Sequence, residues 1–294
     1  MRHDQTIFES QHPSFTSTLT PMSQHRLIDV MKSRFQGIFL LFFALASDVL
    51  LSACAAEKKP DFMASANKYE GRTLFGPAMG EYEEAIKEDP NNAEAHYRIG
   101  ALANELGNND FAAQKFRDAL NIDTNHPSAK RALAAYHVNR GTIARQQNRL
   151  SAARQELEAA VRVDPGSSLA QLELGRAYEA DGRVDDAVQA YEASAKADPH
   201  SIETQLELGQ GYVVTQQYTQ AVTAFNAVLD GNPDEAEAYA GLGEAYFYQG
   251  QQHEAKQSFD QAIRRYLLSG RRDLAKEVKT KADALLPAGG RAKK

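Results

Sequence analysis

The stretch LELGRAY, at residues 172–178, returns as LELGQGY at 206–212 and as GLGEAY at 241–246. The central glycines of these copies lie 34 residues apart, and the same period extends well beyond them. Four columns of residues share it: Gly141, Gly175, Gly209, Gly243; Ala153, Ala187, Ala221, Ala255; Leu157, Tyr191, Phe225, Phe259; and Pro165, Pro199, Pro233. Four columns at one spacing predict an array of stacked structural units.

The pattern inside one unit is Leu-Gly-x-x-Tyr, then Ala-x-x-x-aromatic, then Pro, and it resembles the tetratricopeptide repeat. Residues 168–201 show it most clearly, with Gln171 where that family often has Trp. The resemblance implies an all-α fold, a right-handed superhelical solenoid of antiparallel helix pairs. Gly175 and Ala187 allow the two helices to approach closely, and Pro199 cannot continue a helix, so it turns the chain into the next unit.

We assign complete units to 93–126, 134–167, 168–201, 202–235 and 236–269, and a degenerate first unit with a capping role to 59–92. Gly100 and Gly141 lie 41 residues apart, so seven residues are inserted near 126–132, before the unit 134–167. Because seven residues are close to two helical turns, the apolar face stays aligned to within ~20°. The first helix of this unit is therefore predicted from about Ser128 to Gln147, with the extra length either a partner ledge or a tolerated insertion.

The segment 270–286 places Leu274, Val278, Ala282 and Leu285 on one helical face, which predicts a helix that caps the last unit. The remaining residues, 287–294, read PAGGRAKK and are predicted to be a disordered tail.

The amino-terminal part of the chain has the pattern of an export signal. Residues 31–53 combine two cations, an apolar run and small residues, the layout of a secretory signal peptide. The ending Leu51-Ser52-Ala53-Cys54 resembles the lipobox of bacterial lipoproteins, which implies lipidation of Cys54, the only cysteine of the chain. Residues 54–60 would then be a short lipidated tether, and Ala55, where an aspartate would favour the inner membrane, implies the periplasmic face of the outer membrane. Residues 1–30 are interpreted as an upstream extension, outside the native protein or disordered.

The composition and the distribution of charge limit the kinds of partner that the chain could bind. The 294 residues have a formal net charge of −6 and are 43% hydrophobic, an ordinary soluble profile. Charge is uneven, because residues 264–294 hold ten Lys and Arg against three acidic residues. This basic end could meet anionic lipid head groups or an acidic partner, or could simply be a solvated helix face. Residues 54–263 hold 19 Lys and Arg against 32 Asp and Glu, and this acidic character together with the predicted export argues against nucleic-acid binding.

No catalytic pattern is present in the sequence. Histidines do not show metal-ligand spacing on one helix, and the triplet Gly241-Leu242-Gly243 belongs to the repeat, with no strand before it. We therefore predict no enzyme activity, no cofactor and no metal.

The resemblance instead implies a concave groove, lined by the first helices, that binds an extended peptide or helix of another protein. Projecting the family's groove positions gives a mostly apolar set: Tyr97, Leu172, Arg176, Leu206, Gln210, Val213, Glu244, Phe247 and Tyr248. The sequence thus predicts a non-catalytic scaffold for protein–protein interactions, lipid-anchored at the bacterial envelope. By resemblance it would assist assembly of an envelope machine for pili, secretion or polysaccharide export; an adaptor or regulator of peptidoglycan or other envelope enzymes is the alternative.

Overall fold

The computed structural model describes residues 60–286, and within that range the chain forms thirteen α-helices and no strand. Successive helices pack side by side along the chain as six pairs followed by one further helix. The helices are α1 (Phe62–Glu70), α2 (Phe75–Glu88), α3 (Ala93–Glu105), α4 (Asn109–Ile122), α5 (Pro127–Gln146), α6 (Leu150–Val163), α7 (Ser168–Ala180), α8 (Val184–Ala197), α9 (Ile202–Val214), α10 (Tyr218–Gly231), α11 (Ala236–Tyr248), α12 (Gln252–Leu268) and α13 (Arg272–Leu285). The predicted all-α array of helix pairs is confirmed.

Each pair is closed by a tight turn that holds one residue in the left-handed region. These residues are Thr73, Gly107, Asn148, Gly182, Gln216 and Gly250, and they repeat at the period of the array apart from the insertion. The turn folds the backbone back on the first helix; for example, the N–H of Arg183 donates to the carbonyl of Tyr178 at 2.9 Å. The described part of the degenerate unit, residues 60–92, contains a helix pair with the same turn, since Thr73 lies 34 residues before Gly107.

The glycine column brings the two helices of a pair together. A Cβ built on Gly175 would lie 2.5 Å from Cδ1 of Tyr191, and Gly209 and Gly243 face Phe225 and Phe259 in the same way. In the first pair Ala66 occupies this column, and it is buried together with the ring of Tyr82. Each large residue of the second helix therefore packs directly on the backbone of the first.

Helix α5 contains the seven-residue insertion and has 20 residues, whereas its counterparts α3, α7, α9 and α11 have 13. Its first turns are not a free ledge, because Leu133 is buried in a cluster with Phe116 of α4. The later turns pack forward, with Val138 in the cluster that contains Leu157. One long helix thus serves the packing of two neighbouring units.

Helix α13 covers the last pair, but its contact face differs from the predicted one. Ala275 is the residue that is fully buried, together with Tyr266 and Ala236, and Val278 packs at the edge of this cluster. Leu274, which we expected against the last unit, is partly exposed. The capping contact therefore runs through Ala275, and a small residue there lets α13 approach closely.

The predicted signal peptide (31–53), the lipidation site Cys54, the upstream segment 1–30 and the tail 287–294 lie outside the described residues, as does most of the tether 54–60. Among residues 60–286, no helix combines the length and the apolar character needed to cross a membrane.

Candidate partner-binding face

The first helices of the pairs form a common surface, here called the first-helix face. Helix α5 contacts α3 and α7, and α11 contacts α9 and α13, in addition to the contacts within each pair. Side chains that project from one first helix can therefore reach the next one. This is the face on which the sequence predicts a partner groove.

The middle of the first-helix face is occupied by ion pairs. The carboxylate of Glu173 on α7 is buried and accepts hydrogen bonds from Arg145 at 2.9 Å and from Arg176 at 2.9 Å. Arg176 also reaches α9, donating to Glu207 at 2.7 Å and to Glu203 at 2.6 Å. One guanidinium therefore links two first helices, and Arg145 extends the link to α5.

This network changes the protonation behaviour of its members. Burial acts to raise the pKa of Glu173, but hydrogen bonds from Arg145 and Arg176 outweigh it and hold that pKa below the usual range. Burial acts to lower the pKa of Arg176, and its bonds to Glu203, Glu207 and Glu173 raise it instead. Both groups are therefore charged at neutral pH and are already satisfied by partners in the chain.

The centre of this face is thus charged, whereas the sequence predicts a mostly apolar groove. Leu172, expected to line it, is only 3% exposed and belongs to the core cluster with Tyr191 and Leu208. Leu206 is half-buried against the same cluster. Groove and core positions are adjacent on a helix, and here both leucines point to the core side.

Towards the carboxyl end the face opens into a cleft of about 480 Å³ between α9, α11 and α13. Three of the predicted groove residues, Gln210, Val213 and Glu244, line it together. Gln210 donates to Glu237 at 2.6 Å, and Glu244 pairs with Lys281 of α13. The remaining lining residues are Val214, Phe225, Glu237, Ala240, Gly241, Tyr266, Arg271, Leu274, Glu277, Val278 and Lys281.

The cleft exists because two side chains are small. Ala240 takes the position that Leu206 occupies one unit earlier, and Gly241 takes the position of Glu207. With no side chain on Gly241, the buried ring of Phe225 forms the floor; a Cβ there would lie 2.5 Å from Cε2 of that ring. Sequence reasoning missed both residues, although their departure from the repeat columns is a readable signal.

The other predicted residues lie elsewhere. Tyr97 on α3 packs its ring 5.9 Å from Phe116 and is half-buried. At the end of α11, Phe247 and Tyr248 contact each other edge to face, and Tyr248, 49% exposed, stacks on Tyr218 at 5.2 Å. These aromatic residues do not line the cleft.

The histidines of α3 to α6 pair with carboxylates. His126 lies 3.1 Å from Glu94, and His137 lies 2.7 Å from Glu156. His126 also accepts the N–H of Ala129 and so caps α5. The contact of His126 joins α3 to the start of α5, whereas the contact of His137 lies within the pair α5–α6. Residues 60–286 contain no cluster of three side chains able to hold a metal ion.

Models of the tetratricopeptide repeat match residues 81–114, 138–202 and 206–267, which is more than half of the chain. The chain therefore belongs to the tetratricopeptide-repeat proteins. This is a class of non-enzymatic scaffolds for protein–protein interactions.

Solved structures of similar fold have low sequence identity. YrrB, described as a TPR protein with an unusual peptide-binding site, is 18% identical with a TM-score of 0.51, over 68% of this chain and 97% of YrrB. MamA is 19% identical with a TM-score of 0.39, over 70% of this chain and 96% of MamA. PilF of Pseudomonas aeruginosa is 19% identical with a TM-score of 0.44, over 75% of this chain and 96% of that protein.

Proposed function

We propose that this chain is a lipid-anchored scaffold of the bacterial envelope that holds a peptide segment of a partner protein in the cleft between α9, α11 and α13. The observation that carries the proposal is the replacement of a leucine and a glutamate of the repeat by Ala240 and Gly241. These two replacements leave an open, partly apolar cleft on the first-helix face of the last complete unit.

The cleft suits a peptide better than a small polar ligand. Val213, Leu274 and Val278 supply an apolar wall, and Val214 at its edge is 64% exposed. Glu244 is paired with Lys281 and Glu237 accepts from Gln210, whereas Glu277 and Arg271 line the cleft without an ion-pair partner in the described range, so one charge of each sign is available to orient a bound chain. Apolar anchors surrounded by a polar rim are typical of peptide recognition surfaces. YrrB, of similar fold, is described as having a peptide-binding site, which supports the same class of ligand.

Filling the cleft tests this proposal. Ala240→Leu restores the residue type that Leu172 and Leu206 provide in earlier units, so we expect the array to fold and the cleft to close. A photo-crosslinking amino acid at Val214 should capture a discrete partner in cells, and Ala240→Leu should abolish that adduct.

The matched control is Ala197→Leu, an exposed alanine at the end of the second helix α8. It should leave the adduct at Val214 unchanged. An adduct that persists in Ala240→Leu, with thermal stability unchanged in both variants, would refute binding in the cleft.

The anchor is proposed from the lipobox-like ending at Cys54, with the periplasmic face of the outer membrane as its place. A single cysteine at the end of a signal-like segment supports this reading. Cells labelled with radioactive palmitate should label the wild-type chain and not Cys54→Ala. A Cys54→Ala chain that still takes up label and still sediments with membranes would end the lipoprotein proposal.

Within the envelope we propose that the scaffold assists assembly of a machine for pili, secretion or polysaccharide export. The identity of the Val214 adduct decides between this role and its alternative. A structural subunit of such a machine is the expected result, whereas a peptidoglycan enzyme would assign the chain to the adaptors of envelope enzymes.

A further inference from the structure

Helix α12 is longer than the other second helices of the array. It has 17 residues, whereas α4, α6, α8 and α10 have 14 each. At the proline column this unit has Leu267, 34 residues after Pro233, so no proline blocks the end of the helix. Absence of proline permits this continuation but does not cause it, since α4 ends at Ile122 with Thr124 in the same column. In α12 the helix does continue, for almost one more turn, through Leu268.

The added turn exposes two adjacent leucines at an apex. Tyr266 is buried beneath α13, but Leu267 is 52% exposed and Leu268 is 81% exposed, the largest value among the exposed large apolar residues of the described range. The chain then reverses at Gly270, whose φ is +76°, and the N–H of Arg271 donates to the carbonyl of Tyr266 at 2.8 Å. The two leucines are thus held outward by an ordered turn.

Four arginines flank these leucines, and residues 264–272, here called the tip, include no acidic residue. Arg265 is committed to the fold, lying 3.6 Å from Asp234 and 4.2 Å from the ring centre of Tyr239. Arg264 and Arg272 are exposed and have no ion-pair partner within residues 60–286. The nearest acidic side chain in sequence is that of Asp273, in the first turn of α13.

Arg271 and Lys276 extend this positive surface. The guanidinium of Arg271 lies 4.8 Å from the ring centre of Tyr266 and donates to Ser269 at 3.1 Å, with no carboxylate partner in the described range. Lys276, on the exposed side of α13, adds a further cation.

We propose that the tip docks on a bilayer that contains anionic phospholipid. Leu267 and Leu268 enter the boundary between head groups and acyl chains, and Arg264 and Arg272 pair with lipid phosphates. Guanidinium groups match phosphate in a bidentate geometry, and apolar side chains flanked by cations are the combination by which protein surfaces bind the interface of anionic membranes. The inference goes beyond the scaffold function and does not depend on a lipid at Cys54.

The test uses the full chain with Cys54→Ser, which removes the lipid site and the only native cysteine. Ser269→Cys then carries an environment-sensitive fluorophore at the tip, and His200→Cys, in the exposed turn between α8 and α9, carries it in a control protein. Both proteins are titrated with vesicles of phosphatidylethanolamine and phosphatidylglycerol, and with vesicles of phosphatidylcholine alone.

We expect a blue shift at position 269 with anionic vesicles only, and none at position 200. Leu267→Ser with Leu268→Ser should lower the partition coefficient by about tenfold or more, because two partly exposed leucines no longer leave water. Arg264→Gln and Arg272→Gln should each lower it by about fivefold. Leu106→Ser, a control at a leucine that is 59% exposed in another turn, should leave it unchanged.

Two results would overturn the proposal. One is the absence of a fluorescence shift at position 269 with anionic vesicles, whether or not an acidic protein titrated in their place produces a shift. The other is vesicle binding that is equal in wild type and in the double leucine variant. Neither result bears on the Val214 adduct, so the cleft proposal stands or falls separately.

Discussion

The same substitution, glycine to alanine, is expected to have opposite effects at two positions of this array. Gly175 of α7 faces the ring of Tyr191, and an added Cβ would lie 2.5 Å from its Cδ1, about 1 Å closer than ordinary van der Waals contact. The ring is 1% exposed, and its hydroxyl donates to Glu179 at 2.9 Å, so it has little room to move. Gly80 of α2 has no atom within 4 Å of its added Cβ.

The expected magnitudes follow from these surroundings. In a helix, alanine gains about 1 kcal/mol over glycine, and this gain applies at both positions. At Gly175 the overpacking should cost about 2–3 kcal/mol, the upper part of the usual range, because the buried ring has little room to move, so the net effect is a loss of stability. Gly80→Ala should therefore raise the free energy of unfolding by about 0.5–1 kcal/mol, and Gly175→Ala should lower it by about 1–2 kcal/mol.

Urea unfolding followed by circular dichroism gives the midpoint for each variant, and hydrogen exchange of α7 and α8 reports the local effect if the array unfolds in parts. A midpoint for Gly175→Ala at or above that of the wild type would refute the role assigned to the glycine column. A fall in the midpoint of Gly80→Ala would show that its surroundings are tighter than described.

Three further outcomes are expected. The pKa of Glu173 lies below its usual range in the folded protein. Its contribution to stability is therefore fully present above the unfolded-state pKa of about 4.3 and is lost as the pH falls through the folded-state pKa. Glu173→Gln should make the free energy of unfolding fall less steeply with pH on the acid side, as measured by urea unfolding at several pH values. Thr73 has a φ of 58°, which strains a β-branched residue, so Thr73→Gly should raise the unfolding free energy by about 1 kcal/mol in urea titrations. Tyr82 donates to Glu70 at 2.7 Å. Tyr82→Phe should therefore lower the free energy of unfolding by about 1 kcal/mol, which is measured as a lower thermal midpoint and as faster hydrogen exchange of the amides of α1.

The helix pairs were predictable because each repeat column corresponds to a contact inside one unit. Gly175 and Tyr191 meet across a single turn, so sequence spacing alone brings them together. The degenerate first pair follows the same logic, since Ala66 and Tyr82 occupy the columns of Gly100 and Phe116.

The character of the first-helix face was not predictable in the same way. The bonds of Arg176 to Glu203 and Glu207 join residues 27 and 31 positions apart, in different units, and they depend on how one unit is set against the next. The sequence shows the charges but not which of them meet, so Arg176 was interpreted as available to a partner. The cleft had a detectable signal at Ala240 and Gly241, where two columns lose their usual side chains.

The length of α5 limits where repeat units of this chain can be duplicated or exchanged in evolution. Units that meet at Pro199 or Pro233 each keep their own first helix, so a unit could be duplicated or exchanged at those borders by recombination. No such border exists inside α5, because Leu133 packs backward on Phe116 while Val138 packs forward towards Leu157. A break within α5 would leave both parts incompletely packed, so the pairs α3–α4 and α5–α6 would have to be duplicated or exchanged together.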